Sequence, residues 1–403
     1  MQKSKNKLRK IYMDYASGAP LDMTVLKKVT EVMKKDFANP SAIHDLGISS
    51  KKILEKSRES IANILGARPV EIIFTSGATE SNNLAVLGIL KSVKIKNFIP
   101  HIVTTNIEHA SVLELCKFLE KEKLAEVSYV EVEENGIVDS KKIKKAIKQN
   151  TILVSVMYVN NEIGTVQPIQ EIAKEIRHYK KQQGKVSQYP IFHTDATQAI
   201  NYLSLKVEKL GVDLLSFNGS KIYGPKGVGV LFIKKDTVIS NIIYGGDQEF
   251  GFRPGTENTA LVFGLSEAMI LVERMKDKEV KRLVKLQEYF LKKLQKINGL
   301  IINGDFKNRI PNNVNITIPK IPSDLLVLEL NAQGVCISEK SACKTGEKKS
   351  SHVIDAIRLQ NKDKNIAKES LRFSMGRDTS KEDIDYVVQV LNRTLEKLNK
   401  WYN

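Results

Sequence analysis

Glu71-Ile72-Ile73-Phe74-Thr75-Ser76-Gly77-Ala78-Thr79-Glu80-Ser81-Asn82 is the stretch on which the fold turns. After the leading acid, Ile72 to Thr75 are all β-branched or aromatic, which favours a strand. Small and cap-forming residues follow and open a helix. A strand that feeds a helix through so short a turn is the repeating unit of an α/β sheet. The turn also presents free backbone N–H groups at the positive end of a helix dipole, which suits a phosphate group. Taken alone, an ordinary capped helix start explains the same residues.

Outward from this turn the alternation continues. Short β-branched runs predict strands at 71–75, 101–105, 127–132, 151–157, 191–194, 212–217 and 228–233. Amphipathic stretches lie between them, such as 49–65 with Ile53, Leu54, Ile61, Ile64 and Leu65 at helical spacing. The pattern is that of a mostly parallel sheet with helices on both faces. Beyond Asn258 the character changes. Helices are predicted at 259–275 and 278–296, short strands near 314–318 and 371–374, and a last amphipathic helix from Lys381 to about Leu398. The expected organisation is a large α/β domain over 16–257 and a smaller α+β domain built from 1–15 and 258–403.

Composition narrows the classes. The chain is 42% hydrophobic and 27% charged, which excludes a disordered or fibrous protein. Its apolar runs, such as 151–159, fall short of the roughly 18 residues a membrane helix needs, so no membrane partner is expected. Lys and Arg outnumber Asp and Glu by 63 to 46, a net charge of +17 that attracts phosphates, nucleic acid or an acidic protein. The lysines are spread along the chain with acids interleaved, and no arginine-rich stripe carries stacking aromatics. A solvated lysine-rich surface is therefore expected, without direct nucleic-acid binding. Three cysteines without CxxC spacing predict a reducing compartment, the cytoplasm, rather than a disulfide framework. The six histidines show no ligand spacing, so no metal is expected. The basic segment 1–10 lacks the apolar core of a secretory signal.

Two further segments carry chemistry. Ile191-Phe192-His193-Thr194-Asp195-Ala196-Thr197-Gln198 is an apolar strand ending in an acid, which places Asp195 at the carboxyl edge where open α/β sheets bind ligands. A carboxylate there suits a protonated ring nitrogen; a helix cap or a structural ion pair would use it equally. In Asn218-Gly219-Ser220-Lys221-Ile222-Tyr223-Gly224-Pro225-Lys226-Gly227, a lysine follows a strand in a glycine-rich bend. A partly desolvated amine held there acts as a nucleophile toward an aldehyde. Strand-end acid, loop lysine and upstream phosphate turn together make a constellation for pyridoxal 5'-phosphate.

At this point the resemblance becomes specific. Thr75-Ser-Gly-Ala-Thr-Glu-Ser81, Val159-Asn-Asn-Glu-Ile-Gly164, His193-Thr-Asp-Ala-Thr-Gln198, Lys221-Ile-Tyr-Gly-Pro-Lys-Gly227, Ser341-Ala-Cys343 and Arg372-Phe-Ser-Met-Gly376 occur in the order seen in cysteine desulfurases. The chain resembles their housekeeping iron–sulfur branch from Tyr12-Met13-Asp14-Tyr15 to about Arg377. The resemblance implies a fold-type-I, pyridoxal phosphate-dependent enzyme of the class-V aminotransferase superfamily. It would convert L-cysteine to L-alanine and pass sulfur, as a persulfide, to an iron–sulfur scaffold protein or another acceptor, including one for tRNA thiolation.

The resemblance also implies roles. Lys221 would hold the cofactor's aldehyde and shuttle protons at the substrate Cα, and Asp195 would keep the ring nitrogen protonated. His109 would stack on the ring and exchange protons with the substrate. Asn161 and Gln198 would hydrogen-bond the substrate region and the cofactor's phenolic oxygen. Ala78, Thr79, Asn218 and Ser220 would hold the phosphate, completed by Thr256 from the second subunit of a homodimer. Arg372 would clamp the substrate carboxylate with its bidentate fork. Cys343 would take the sulfur. Its polar surroundings from Ser338 to Ser351 predict an exposed, mobile loop, and Lys340 and Lys344 would favour the thiolate. Cys116 and Cys336, in apolar surroundings, are expected to be structural.

The chain departs from the family at two places. Ser220 stands where a histidine usually precedes the lysine, a hydroxyl of shorter reach and no charge. Glu339-Lys340 replaces a small Ser-Gly pair ahead of Cys343. Alternatives set beside the main reading are a selenocysteine lyase or cysteine sulfinate desulfinase, which retention of Cys343 disfavours, and a catalytically silent scaffold, which intact Lys221, Asp195 and His109 disfavour.

Overall fold

A computed structural model describes residues 9–93, 99–183, 188–339, 351–358 and 370–402. Among these residues twelve strands are found: β1 (Ile11–Tyr12), β2 (Ile72–Thr75), β3 (His101–Thr105), β4 (Glu126–Val130), β5 (Thr151–Ser155), β6 (Ile191–Asp195), β7 (Leu214–Asn218), β8 (Gly229–Ile233), β9 (Ile301–Asn303), β10 (Asn313–Thr317), β11 (Val335–Cys336) and β12 (Ser370–Ser374). Seven of them form one sheet in the order β2-β8-β7-β6-β5-β3-β4, in which β8 alone runs antiparallel to the rest.

The central strands are buried on both faces, and their side chains divide cleanly by period two. Phe74, Val103, Val154, Phe192, Leu215, Phe217, Val230 and Phe232 enter one core. Ile73, Ile102, Leu153, Ile191, Leu214, Leu231 and Ile233 enter another on the opposite face. Helix Asp45–Leu65 and helix Ile169–Gln182 cover the first face; helix Ala78–Ser92 and helix Ala110–Lys121 cover the second.

A separate core surrounds the antiparallel sheet β9-β10-β12 and the parallel pair β1-β11. It contains Ile11 and Met13 from the start of the described chain, Val314 and Ile316 from β10, Leu371 and Phe373 from β12, and Ile384, Val387 and Leu391 from helix Lys381–Tyr402.

The two helices expected at 259–275 and 278–296 are one helix, Thr259–Leu294. Its first half buries Ala260, Val262, Leu265, Ala268 and Met269 in the sheet core, and its last turns bury Leu283, Phe290 and Leu294 in the second core. The polar middle suggests a break but holds no glycine or proline. Ion pairs Lys276–Glu273 and Arg282–Glu279, each three residues apart, line it instead.

Candidate active site

Strands β2, β3, β5, β6 and β7 all point their carboxyl ends to one edge of the sheet, where open α/β folds place their ligands. A cavity of about 150 Å³ opens there, walled by Ala16, Ser17, Ala78, Thr79, His109, Met157, Val159, Asn161, Asp195, Thr197, Gln198, Asn218, Lys221 and Arg372. Nine of the residues named from sequence thus meet on one wall although they span almost 300 positions.

One end of the cavity is built for an anion. Helix Ala78–Ser92 starts at Gly77 with no side-chain cap, so the N–H groups of its first turn are left for a ligand. Strand β8 passes against this turn at Gly229, where a Cβ would lie 2.6 Å from the Gly77 backbone. Glycine is the residue that permits the approach. Asn218 stands on the wall, and Ser220 stands behind it, its hydroxyl donating to Asn218 Oδ1 at 3.2 Å. Thr256 is exposed and away from this wall.

Lys221 ends a short 3-10 turn, Gly219–Lys221, directly after β7. Its amine donates to the Ser17 carbonyl, and its own carbonyl accepts from Asn201 Nδ2 at 2.6 Å. Asp195 closes β6 with its carboxylate buried; Oδ1 accepts the Thr197 N–H at 2.9 Å and Oδ2 accepts from Asn82 Nδ2 at 2.8 Å. His109 caps helix Ala110–Lys121, with Nδ1 3.2 Å from the Ser111 N–H donor and 2.8 Å from Ser111 Oγ. Gln198 donates to the Ala16 carbonyl at 3.0 Å.

Arg372 in β12 reaches the cavity from the second core and is 1% exposed. Its guanidinium donates to the Asn161 carbonyl at 3.0 Å, to Asp14 Oδ1 at 2.8 Å and to Ser17 Oγ at 2.6 Å. Asp14 and Ser17 are partners that sequence reasoning missed. The signal for Asp14 was the Tyr12-Met13-Asp14-Tyr15 motif, which carries no spacing relation to position 372; Ser17 lies two residues beyond it. Asn82 and Ser111 were missed as well, though Asn82 ends the opening stretch and Ser111 is two residues from His109.

Beside His109, Glu108 is buried completely, which pushes its carboxyl up to about 8 even though the Thr105 hydroxyl and the Met157 N–H donate to it. The carbonyl of Glu108 lies 3.0 Å from His352 Nε2, and Ser351 Oγ donates to Glu162 Oε2 at 2.5 Å. The chain after Ser350 is therefore pinned next to His109 and Asn161. Cys343, with Lys340 and Lys344, lies outside the described residues. Cys116 is buried, and burial pushes its thiol up to about 12. Cys336 departs from its expected apolar setting: it is partly exposed, with Sγ 3.7 Å from Asn331 Oδ1.

Pyridoxal phosphate fits these residues. An uncapped helix start suits its phosphate, a strand-end carboxylate its ring nitrogen and an amine on the same wall its aldehyde. Thr197 Oγ1 and Arg372 Nε are buried without partners, polar atoms of the kind a ligand satisfies.

Comparison with known proteins agrees with this geometry. The sequence pattern of the family described as aminotransferase class-V matches residues 11–387. The chain is 42% identical to a cysteine desulfurase IscS of Dictyoglomus turgidum over 391 residues, 97% of this chain and 95% of that protein. It is 39% identical to a cysteine desulfurase IscS of Methanosarcina thermophila, covering 96% of this chain and 92% of the other. Among solved structures, a NifS-like protein superposes with a TM-score of 0.88 at 31% identity, over 97% of this chain and all (100%) of that one. The structure described as SspA in complex with cysteine gives 0.76 at 33% identity, over 90% and 98%.

Proposed function

The chain belongs to the class-V aminotransferase family, and from that premise we propose that it is a pyridoxal phosphate-dependent cysteine desulfurase. In the overall reaction the Cβ–S bond of L-cysteine breaks, sulfur joins the Cys343 thiol as a persulfide, and the carbon keeps the bond's electron pair, takes a proton and leaves as L-alanine. The observation that carries the reading is the meeting of Lys221, Asp195, His109 and Arg372 on one cavity beside an uncapped helix start.

When bound, pyridoxal phosphate supplies an aldehyde that captures the substrate amine and a ring that accepts electrons from Cα. The protein's share is placement and protons. N–H groups of the first turn at Ala78 and Thr79, with Asn218, would hold the phosphate. The Asp195 carboxylate, fixed by two donors, would keep a proton on the ring nitrogen. Lys221 would hold the aldehyde between turnovers and move a proton at Cα. Arg372 would bind the substrate carboxylate, with Asp14 and the Asn161 carbonyl holding its plane. Cys343 would approach from the segment whose far end is anchored at Ser351.

We assign the finer features on supporting grounds. A homodimer is favoured by exposed Phe37, Ile43 and Phe250. Pro40 and Ser41 border the same cleft as Asp247, Phe250 and Glu257, so this apolar face adjoins Thr256. The net charge of +17 favours an acidic acceptor, an iron–sulfur scaffold or a carrier for tRNA thiolation, in the reducing cytoplasm. No helix among the described residues is long and apolar enough to cross a membrane.

The test is incubation of the purified protein with L-cysteine and a reductant, following alanine and sulfide, beside Lys221→Ala and Cys343→Ala. Wild type should form both products and neither variant should. Absence of alanine from wild type, or an unaffected Cys343→Ala, overturns the reading.

A further inference from the structure

Asn82 and Ser111 are nearly fully buried and belong to none of the motifs that mark the family in this chain. They nonetheless join two groups of the site. The single amide nitrogen of Asn82 donates to Asp195 Oδ2 and to Ser111 Oγ, each at 2.8 Å. Its carbonyl Oδ1 is buried and without a partner. Such a loss is tolerated only where the reverse orientation costs more. Turning the amide over would set Oδ1 against the Asp195 carboxylate and lose both donations, so Asp195 dictates which way Asn82 faces.

The direction then propagates. Because Ser111 Oγ accepts from Asn82, its own proton is left for His109 Nδ1 at 2.8 Å. The Ser111 backbone N–H donates to the same nitrogen at 3.2 Å. Two donors converge on Nδ1, which makes it an acceptor and leaves the ring proton of the neutral imidazole on Nε2. All donations run outward from Asn82, toward Asp195 on one side and His109 on the other. An amide in the middle passes no proton between them, so the arrangement orients groups and is no proton wire.

We propose that Asn82 and Ser111 are positioning residues which together aim the Asp195 carboxylate and fix the tautomer of His109, so that His109 exchanges protons with the substrate through Nε2. The catalytic half of this statement rests on the desulfurase reading; the tautomer half does not.

The experiment separates the two. In apoprotein labelled with 15N-histidine, two-bond correlation spectra assign the tautomer of His109, identified by the signals missing from His109→Gln. The expected pattern is Nε2–H with an unprotonated Nδ1. In Ser111→Ala an Nδ1–H population should grow in, and kcat for alanine formation should fall roughly 3- to 10-fold at nearly constant KM, with Ser111→Thr restoring both. Asn82→Ala should lower kcat further, because it releases Asp195 too. In the Asn82→Ala background, Ser111→Ala should add less than it costs alone. An Nδ1–H tautomer in wild type overturns the proposal, as does a Ser111→Ala variant with unchanged spectra and kcat. Loss of alanine formation in wild type with the expected tautomer would instead indict the desulfurase reading.

Discussion

Arg372 shows what a single residue does at this site and how little of it sequence conveys. Its role as a carboxylate clamp was expected from a motif, but its fixation by Asp14 and Ser17 was not, because 355 or more positions separate the partners. Arg372→Lys keeps the charge and loses the fork. An ammonium has three donors and cannot serve the Asn161 carbonyl, Asp14, Ser17 and a substrate carboxylate together, and a lost charge-assisted bond costs about 2 kcal/mol, roughly 30-fold in kcat/KM. Most of that loss should appear as a higher KM for L-cysteine in steady-state assays; an unchanged KM would mean that the carboxylate binds elsewhere. The Asn82–Ser111 link was hidden for the same reason. Asn82 directly follows one motif and Ser111 lies two residues from His109, yet only the packing of helix Ala78–Ser92 against helix Ala110–Lys121 brings their polar atoms together.

Elements were more legible than contacts. The strands at 101–105 and 191–194 lie within a residue of β3 and β6, since buried β-branched runs bounded by turn residues are a local signal. What locks neighbouring strands is not local. His193 in β6 bridges Ser155 of β5 at 2.8 Å and Ser216 of β7 at 2.9 Å, and His101 in β3 bridges Thr151 and Ser128, both at 2.8 Å. Burial holds the His193 imidazole down to about 4, against 6.5 when exposed. The native state therefore binds no proton where the unfolded chain does. Its contribution is complete above about pH 6.5 and is lost as pH falls toward 4, at about 1.4 kcal/mol per unit. Glu108 acts oppositely. Raised from 4.5 to about 8, it favours the fold below about pH 4.5 and withdraws that contribution as pH rises. Glu108→Gln should gain urea resistance over wild type progressively from about pH 5 to pH 8. Parallel curves for the two proteins would contradict this.

The loop after β8 carries a second lock of this kind. Glu249 and Phe250 adopt consecutive left-handed conformations, φ 50° and 58°, which non-glycine residues avoid. A buried bidentate pair, Arg58 with Glu249 at 2.7 and 2.8 Å, holds them there, and Glu249 also accepts the Phe74 N–H at 2.7 Å. Glu249→Ala takes the bidentate partner from the buried Arg58 guanidinium, leaving it the Ile72 carbonyl and the half-exposed Glu55 at 3.2 Å, and should cost about 3 kcal/mol in denaturant titrations. A loss below about 1 kcal/mol, the range of surface pairs, would show that the loop is held by other means.

At the scale of the whole molecule, the α/β alternation followed by a change beyond Asn258 announced two kinds of architecture. It did not reveal that one helix joins them, because a charged stretch reads as a gap when no partner is in view. The proposed subunit pairing also belongs to this scale. Ile43 is 95% exposed, and Ile43→Glu should halve the mass seen by sedimentation velocity while weakening retention of pyridoxal phosphate, if Thr256 serves the neighbouring cradle. A dimer of unchanged strength would place the contact elsewhere. Helix Thr259–Leu294, 36 residues or about 54 Å long, is gripped at each end by a different interior. It is a tie beam between the two interiors, and the joint it leaves to be closed is a single residue: Ser17 takes the Lys221 amine on its carbonyl and the Arg372 guanidinium on its hydroxyl, so a shift of either interior is felt at both.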